Sequence, residues 1–209
     1  MKLYEFAPTR SIRARWTLQE LDLDFESVTV DLRAGANRDS EFLRVNPAGK
    51  LPVLVDDDRV VTESVAIVLY LAELHPERRL LPADVGGRAE AYRWLLFAAT
   101  ELEQPLWRIA RNTAIYPENE RLPADVEKAT GEFRDMAAVL EGHMQDRRFV
   151  LGDDVSVVDF VTAYTLDWAN MNQLLDRTPR LHAYMERMYA RPKAPLRIAQ
   201  AFATLDADA

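Results

Sequence analysis

The sequence contains no cysteine. Without it there can be no disulfide, no protein thiolate acting as nucleophile and no thiolate metal ligand. Histidine is scarce as well: His75, His143 and His182 lie far apart and share neither metal-ligand nor triad spacing. Each reads as a helix-surface residue, and no metal site is expected. No apolar run reaches the ~18 residues of a membrane-span candidate, and no charged-then-apolar leader opens the chain. A cytoplasmic setting with no membrane partner is the expectation. Positive charge is also short, with 26 Lys and Arg against 34 Asp and Glu for a formal net charge of −8. Such a surface lacks the basic excess that a nucleic-acid backbone requires, although a local Arg cluster could still hold a small anion.

What is present is an ordinary folded composition. At 48% hydrophobic and 29% charged, 209 residues leave room for one large core or two smaller ones. Lys2 to Phe6 is a short β-like run broken by Ala7-Pro8-Thr9-Arg10, after which Ile12, Trp16, Leu18 and Leu21 recur near helical spacing. Phe25 to Val30 alternates as a half-buried strand does, and a short helix near Glu41 to Val45 stops at Asn46-Pro47. Val53-Leu54-Val55, a turn over Asp56 to Arg59, and Val60-Val61-Thr62 read as a hairpin; an apolar helix then opens at Glu63-Ser64 and ends before His75-Pro76. The order β-α-β-α-β-β-α predicts an α/β thioredoxin-like domain over residues 1–76, with a mixed four-stranded sheet covered by helices.

Pro82 and Gly86-Gly87 punctuate a linker over 77–87, and residues 88–209 read as an all-α helical bundle domain. Tyr92, Leu95, Ala99, Leu102, Leu106 and Ile109 share one long helix that ends near Tyr116-Pro117. Val126, Ala129, Phe133, Met136, Leu140 and Met144 share the next, with Pro123 in its first turn. Ser156 and Asp159 stand at capping-box spacing, flanked by Val155 and Phe160 as a hydrophobic staple. A last helix runs from Thr178-Pro179 to Arg191-Pro192, and the acidic, Ala-rich tail after Leu205 is expected to fray.

One stretch joins two binding features. In Asn46-Pro47-Ala48-Gly49-Lys50-Leu51-Pro52-Val53-Leu54, the strand-opening proline cannot donate to the ladder. A cis Leu51-Pro52 bond would turn the Leu51 N–H and C=O outward, where they can pair with a peptide-like ligand. A little further on, Ser64 would cap a helix whose first N–H groups suit a carboxylate. Read singly, these are a proline-marked turn and a plain helix start.

Together with Arg13 to Leu21, Thr62-Glu63-Ser64-Val65-Ala66-Ile67, Ser156 to Phe160, and the closing Thr178 to Pro192 segment, that stretch resembles the cytosolic glutathione transferase family over nearly the whole chain. The resemblance implies a Ser/Thr-type member of unassigned class that takes glutathione as co-substrate. Such an enzyme ionises the thiol and adds it to a small, apolar electrophile in detoxification. The same thiolate would serve glutathione-dependent isomerisation or dehalogenation, and some relatives keep the fold as non-enzymatic binding or regulatory proteins. By resemblance, Leu51 beside cis Pro52 pairs its backbone with the cysteinyl part, and Lys50 lies near the glycyl carboxylate. Glu63 meets the γ-glutamyl ammonium, while Ser64 and its helix N-terminus meet the carboxylate. The family also implies a homodimer and a second-substrate site between the domains. Trp107, Arg108, Arg111, Asn112 and Tyr116 would give that site an aromatic and basic lining.

Thiol activation is where the sequence departs from the family's familiar patterns. A thiol of pKa about 8.5 ionises near neutrality only beside a hydrogen-bond donor or a helix N-terminus. Where some classes place a Tyr, Phe6 stands here; Tyr4 lies inside the strand, and Cys-using classes are excluded. Thr9 follows the Ala7-Pro8 turn at the expected N-cap and is the first candidate; Ser11 is the second. Arg10 is either a charge that stabilises the thiolate or a solvated surface residue. Arg13 matches a family position with a packing role and is left out of the site.

Overall fold

The computed structural model describes residues 1–207. Its helices are α1 (Ser11–Glu20), α2 (Ser40–Val45), α3 (Ser64–Leu74), α4 (Val85–Leu96), α5 (Glu103–Ala110), α6 (Pro123–His143), α7 (Val157–Met171), α8 (Pro179–Tyr189) and α9 (Ile198–Ala207). Contacts divide the chain into two compact units: Met1–Leu81 together with the segment from Tyr189 on, and Pro82–Met188.

In the first unit, β1 (Lys2–Glu5), β2 (Glu26–Thr29), β3 (Val53–Asp56) and β4 (Arg59–Thr62) form one sheet in the order β2-β1-β3-β4. β1 and β2 run parallel and are joined through α1, because parallel neighbours need a crossover. β3 is antiparallel to both β1 and β4, and a tight turn with Asp57 at φ 50° suffices between β3 and β4. This is the mixed, thioredoxin-like sheet that the periodicity predicts. Leu3, Leu54, Trp16, Leu18, Ile67 and Leu71 are fully buried and form the core between sheet and helices.

Charged side chains anchor α1 at both ends. Glu5, buried in β1, accepts from Arg15 Nε at 2.8 Å and from Ser27 Oγ at 2.6 Å, which ties α1 to both parallel strands. Glu20 accepts two bonds from Arg191, each of 2.7 Å, and the Trp16 ring lies 4.9 Å from that of Tyr189. These contacts explain why the chain from Tyr189 on, including α9, groups with the sheet, whereas the sequence division had assigned everything after residue 88 to the helical part. α9 itself is unforeseen in the sequence, since Pro192 and Pro195 mask its start. Its backbone is helical through Ala207; the rest of the tail expected to fray, Asp208-Ala209, lies outside the described residues.

In the second unit the expected long helix is interrupted. α4 and α5 alternate with π-helical turns at Phe97–Leu102 and Arg111–Ile115. Pro105 explains the first: it has no N–H and its ring excludes the carbonyl of residue 101, so the preceding turns widen instead of kinking.

The capping box at α7 grows into a buried junction. Asp159, fully buried, accepts from the Ser156 N–H and Oγ–H at 2.8 Å each, from the Val150 N–H at 2.9 Å and from the Tyr184 hydroxyl at 2.7 Å. Burial pushes its carboxyl above the usual range, and these donors pull it back. Nearby, His143 Nε2–H donates to Val150 O at 2.8 Å, and its ring lies 4.0 Å from that of Trp94. Burial lowers this imidazole's pKa.

Asp159→Ala leaves four donors without an acceptor and should cost about 3–5 kcal/mol in urea unfolding. Tyr184→Phe removes one donor and should cost about 1 kcal/mol; equal losses for the two would show that the carboxylate is not the centre of the junction. Because folding holds His143 neutral, its contribution is complete above the ordinary His pKa and is lost as pH falls through that range. Part of the drop in thermal midpoint between about pH 7.5 and about pH 5.5 should therefore vanish in His143→Gln.

Candidate functional site

The strand register brings three separate stretches to one edge of the sheet. Val53 pairs with Tyr4 on one side and with Thr62 on the other. Leu51 precedes that rung by two residues, while Phe6 and Ser64 each follow it by two. The Leu51-Pro52 dipeptide, the turn that begins at Phe6, and the Glu63-Ser64 helix start therefore leave the sheet side by side.

The loop before Leu51 is built by its own side chains. Asn46 Nδ2 donates to Lys50 O at 2.8 Å, its Oδ1 accepts from the Ala48 N–H at 3.1 Å, and Asn37 Nδ2 donates to Gly49 O at 2.8 Å. Gly49 has φ 62°, and a Cβ there would stand 2.9 Å from Asn37 O, so glycine is required. The Leu51-Pro52 bond is cis. Leu51 is half-buried and packs against the Val30, Phe42 and Val53 cluster. Its backbone N–H and C=O have no hydrogen-bond partner among the described residues. Lys50 is exposed on this loop, and the Arg38 guanidinium lies against Gly49. Arg38 is a second cation here that sequence spacing did not single out.

Glu63 is exposed and adopts φ 66°, ψ 118°, an uncommon conformation for a residue with a side chain. It directly precedes α3, so its carboxylate stands at the N-terminal end of that helix. Ser64 is the first residue of α3 and is buried, and its Oγ accepts from Arg13 Nη1 at 3.2 Å. Arg13, set aside on sequence grounds as a packing residue, is 1% exposed and thus touches the candidate site.

The turn after β1 holds a compact hydroxyl chain. Ala7-Pro8 is also cis. The Thr9 hydroxyl donates to Phe6 O at 2.5 Å and accepts from the Ser11 hydroxyl at 2.8 Å and the Ser11 N–H at 3.2 Å. The direction follows because a carbonyl can only accept. Ser11 Oγ in turn accepts from the Phe6 N–H at 3.3 Å. Thr9 is half-buried, whereas Ser11 is 1% exposed. The N-cap of α1 is Arg10, half-buried and one residue later than expected, although Thr9 still satisfies one of the helix's first N–H groups.

The residues expected to line a second-substrate pocket divide into two groups. Arg108 binds both Asp125 and Glu132 of α6, and Asn112 Nδ2 donates to Asp125 Oδ2 at 3.0 Å while its Oδ1 accepts from the Leu122 N–H at 3.0 Å. The Arg108 guanidinium holds the Asp125 carboxyl below its ordinary pKa. Arg108 of α5 and Asn112 of the π-helical turn after it are thus bound to α6, and the carboxylates that occupy them lie too far along the chain for helix periodicity to reveal. Trp107 and Arg111 are half-buried; the Trp107 ring lies 6.3 Å from Trp168 and the Arg111 guanidinium 5.9 Å from the Tyr116 ring. Among the described residues, no group of His, Asp and Glu could hold a metal, and no helix is long and apolar enough to cross a membrane.

Family models of the glutathione S-transferase N-terminal and C-terminal domains match residues 1–73 and 123–187. A zeta-class glutathione S-transferase from Euphorbia esula is 33% identical over 195 residues, 87% of this chain and 84% of that protein. The solved glutathione transferase from Methylococcus capsulatus str. Bath is 31% identical with a TM-score of 0.83, covering 99% of this chain and 98% of that one. The glutathione transferase URE2P6 from Phanerochaete chrysosporium, solved in complex with oxidized glutathione, has a TM-score of 0.85 at 24% identity, covering 100% of this chain and 97% of that one. This chain belongs to the glutathione S-transferase family.

Proposed function

We propose that the first unit binds glutathione at the shared sheet edge, ionises its thiol beside Thr9 and adds the thiolate to a small electrophile. The observation that carries the reading is the pair of Leu51 backbone groups without partners among the described residues, two residues before the Val53–Thr62 rung that Ser64 follows by two. An N–H and a C=O presented together match the donor and acceptor of one peptide unit, here the cysteinyl part of glutathione. Glu63 meets the γ-glutamyl ammonium; the Ser64 hydroxyl and the first N–H groups of α3 meet its carboxylate. Lys50 faces the glycyl carboxylate, with Arg38 beside the same loop. The glutathione transferase relatives from Euphorbia esula and Methylococcus capsulatus, at 33% and 31% identity, support this ligand.

Thr9 is the better activating hydroxyl, because Ser11 is enclosed and Thr9 is not. Phe6 O also receives the Thr9 N–H at 2.9 Å, so the Thr9 hydroxyl can turn toward a sulfur without stranding that carbonyl. Arg10, at the N-cap of α1, would add positive charge near the thiolate. Once ionised, the sulfur forms a bond to an electrophilic carbon. On the second unit, Trp107, Trp168 and Arg111 offer an aromatic surface with one cation, suited to an apolar electrophile with an anionic end; Tyr116 is the ring beside that cation. Arg108 and Asn112 have no part in this lining, given their bonds to α6 and to Leu122. A cytosolic homodimer completes the reading.

Calorimetric titration should show glutathione binding, and no heat at millimolar ligand would overturn the proposal. Thr9→Val should shift the ultraviolet titration of bound thiolate upward by about one pH unit, while Ser11→Ala, acting only through Thr9, should shift it less. Glu63→Ala should weaken binding by roughly tenfold yet leave the thiolate titration nearly in place. A larger effect from Ser11→Ala than from Thr9→Val would exchange their roles.

A further inference from the structure

Arg108 and Arg111 stand one turn apart where α5 passes into the π-helical turn, and the second unit uses them differently. Arg108 is taken up by Asp125 and Glu132. Arg111 makes no hydrogen bond or ion pair among the described residues. Its Nε is covered without a partner, so the terminal amino groups are the donors that a ligand can reach. Asp125 is the carboxylate within range of its charge: Arg108, then Asn112 and Arg111, hold that carboxyl below its ordinary pKa. The Asp125 oxygens are bonded to Arg108 and Asn112, so they temper the charge of Arg111 without satisfying its N–H groups. A guanidinium has donors only, and a half-buried one with none of them paired matches an oxyanion. Trp107, also half-buried, lies one turn before Arg111, and its ring meets that of Trp168 at 6.3 Å and 68°.

We infer that Arg111 determines substrate specificity, and that the electrophile is an aryl compound bearing a carboxylate. The ring lies against Trp107, and the carboxylate accepts from the terminal amino groups of Arg111. One cation with Asp125 close to it suits a monoanion and disfavours a phosphate dianion. The inference rests on the glutathione reading and narrows its electrophile. In the transfer, the thiolate sulfur forms a bond to the ring carbon that carries a halide, and the halide leaves with the electron pair of the carbon–halogen bond. The carboxylate takes no part in that exchange, so Arg111 acts through binding and orientation.

The test measures kcat/KM with glutathione and either 4-chloro-3,5-dinitrobenzoate or its neutral counterpart 4-chloro-3,5-dinitrobenzamide. Each value is divided by the rate constant of the uncatalysed reaction of the same compound. The wild-type protein should favour the benzoate by about tenfold or more, a factor typical of one charge-assisted bond. In Arg111→Gln the ratio should fall to near unity. Arg111→Lys keeps the charge without the planar fork and should fall between the two; it carries the test if Arg111→Gln does not fold. Trp107→Leu should lower both values and keep the ratio, because a ring contact does not read charge. A wild-type ratio near unity, an unchanged ratio in a folded Arg111 variant, or a ratio that follows Trp107 instead overturns the role of Arg111. Conjugation of neither compound by a protein that binds glutathione overturns the aryl substrate. Failure to bind glutathione in the calorimetric titration overturns the earlier reading itself.

Discussion

Val53 is held from both sides at once, against Tyr4 of β1 and Thr62 of β4. Because β3 is antiparallel to both neighbours, its start lies beside the ends of the other two strands. A slip of one residue in either ladder would turn every side chain of a strand to the opposite face, taking Leu3 or Leu54 out of one buried layer or Val53 out of the other. Hydrophobic burial thus selects the register, and the register sets three loops side by side. The site is a consequence of that choice rather than a separate construction.

The polar interior works to the same end. Glu5 with Arg15 and Ser27, Asn46 with its loop, and Arg13 with Ser64 are all buried or half-buried and joined by hydrogen bonds. Such groups add less net stability than apolar packing does, but each is expensive to leave without its partner. They hold backbone positions that apolar contacts, being non-directional, would leave loose. Among the described residues the Leu51 N–H and C=O are the exception within this loop, and on the proposed reading a peptide ligand would pair with them. The sequence has no cysteine, so on the proposed reading the reacting sulfur is that of glutathione.

Much of the first unit was legible because its signals are local. Alternation over Phe25 to Val30, the hairpin around Asp56 to Arg59, the proline before Val53 and the Glu63-Ser64 helix start each depend on residues within a few positions of one another. The Ser156–Asp159 spacing was legible in the same way, although the two further donors, Val150 and Tyr184, were not. Arg108 and Asn112 show the limit. Their place on a long amphipathic helix suggests a lining, yet Asp125 and Glu132 on the following helix occupy Arg108, and Asp125 with the Leu122 N–H occupies Asn112.

By itself, the sequence determined the order and type of most elements, the strand-opening proline after Leu51, the helix start at Glu63-Ser64, and the absence of any cysteine chemistry. Periodicity, proline, glycine and capping residues act over one or two turns of chain, so one sequence suffices to read them. The tertiary structure alone decided that Thr9 is half-buried while Ser11 is enclosed, that Arg13 reaches Ser64 across 51 positions of sequence, and that the segment from Tyr189 groups with the first unit. Burial and long-range pairing are properties of the packed chain, fixed only when distant elements compete for the same core and the same hydrogen-bond partners.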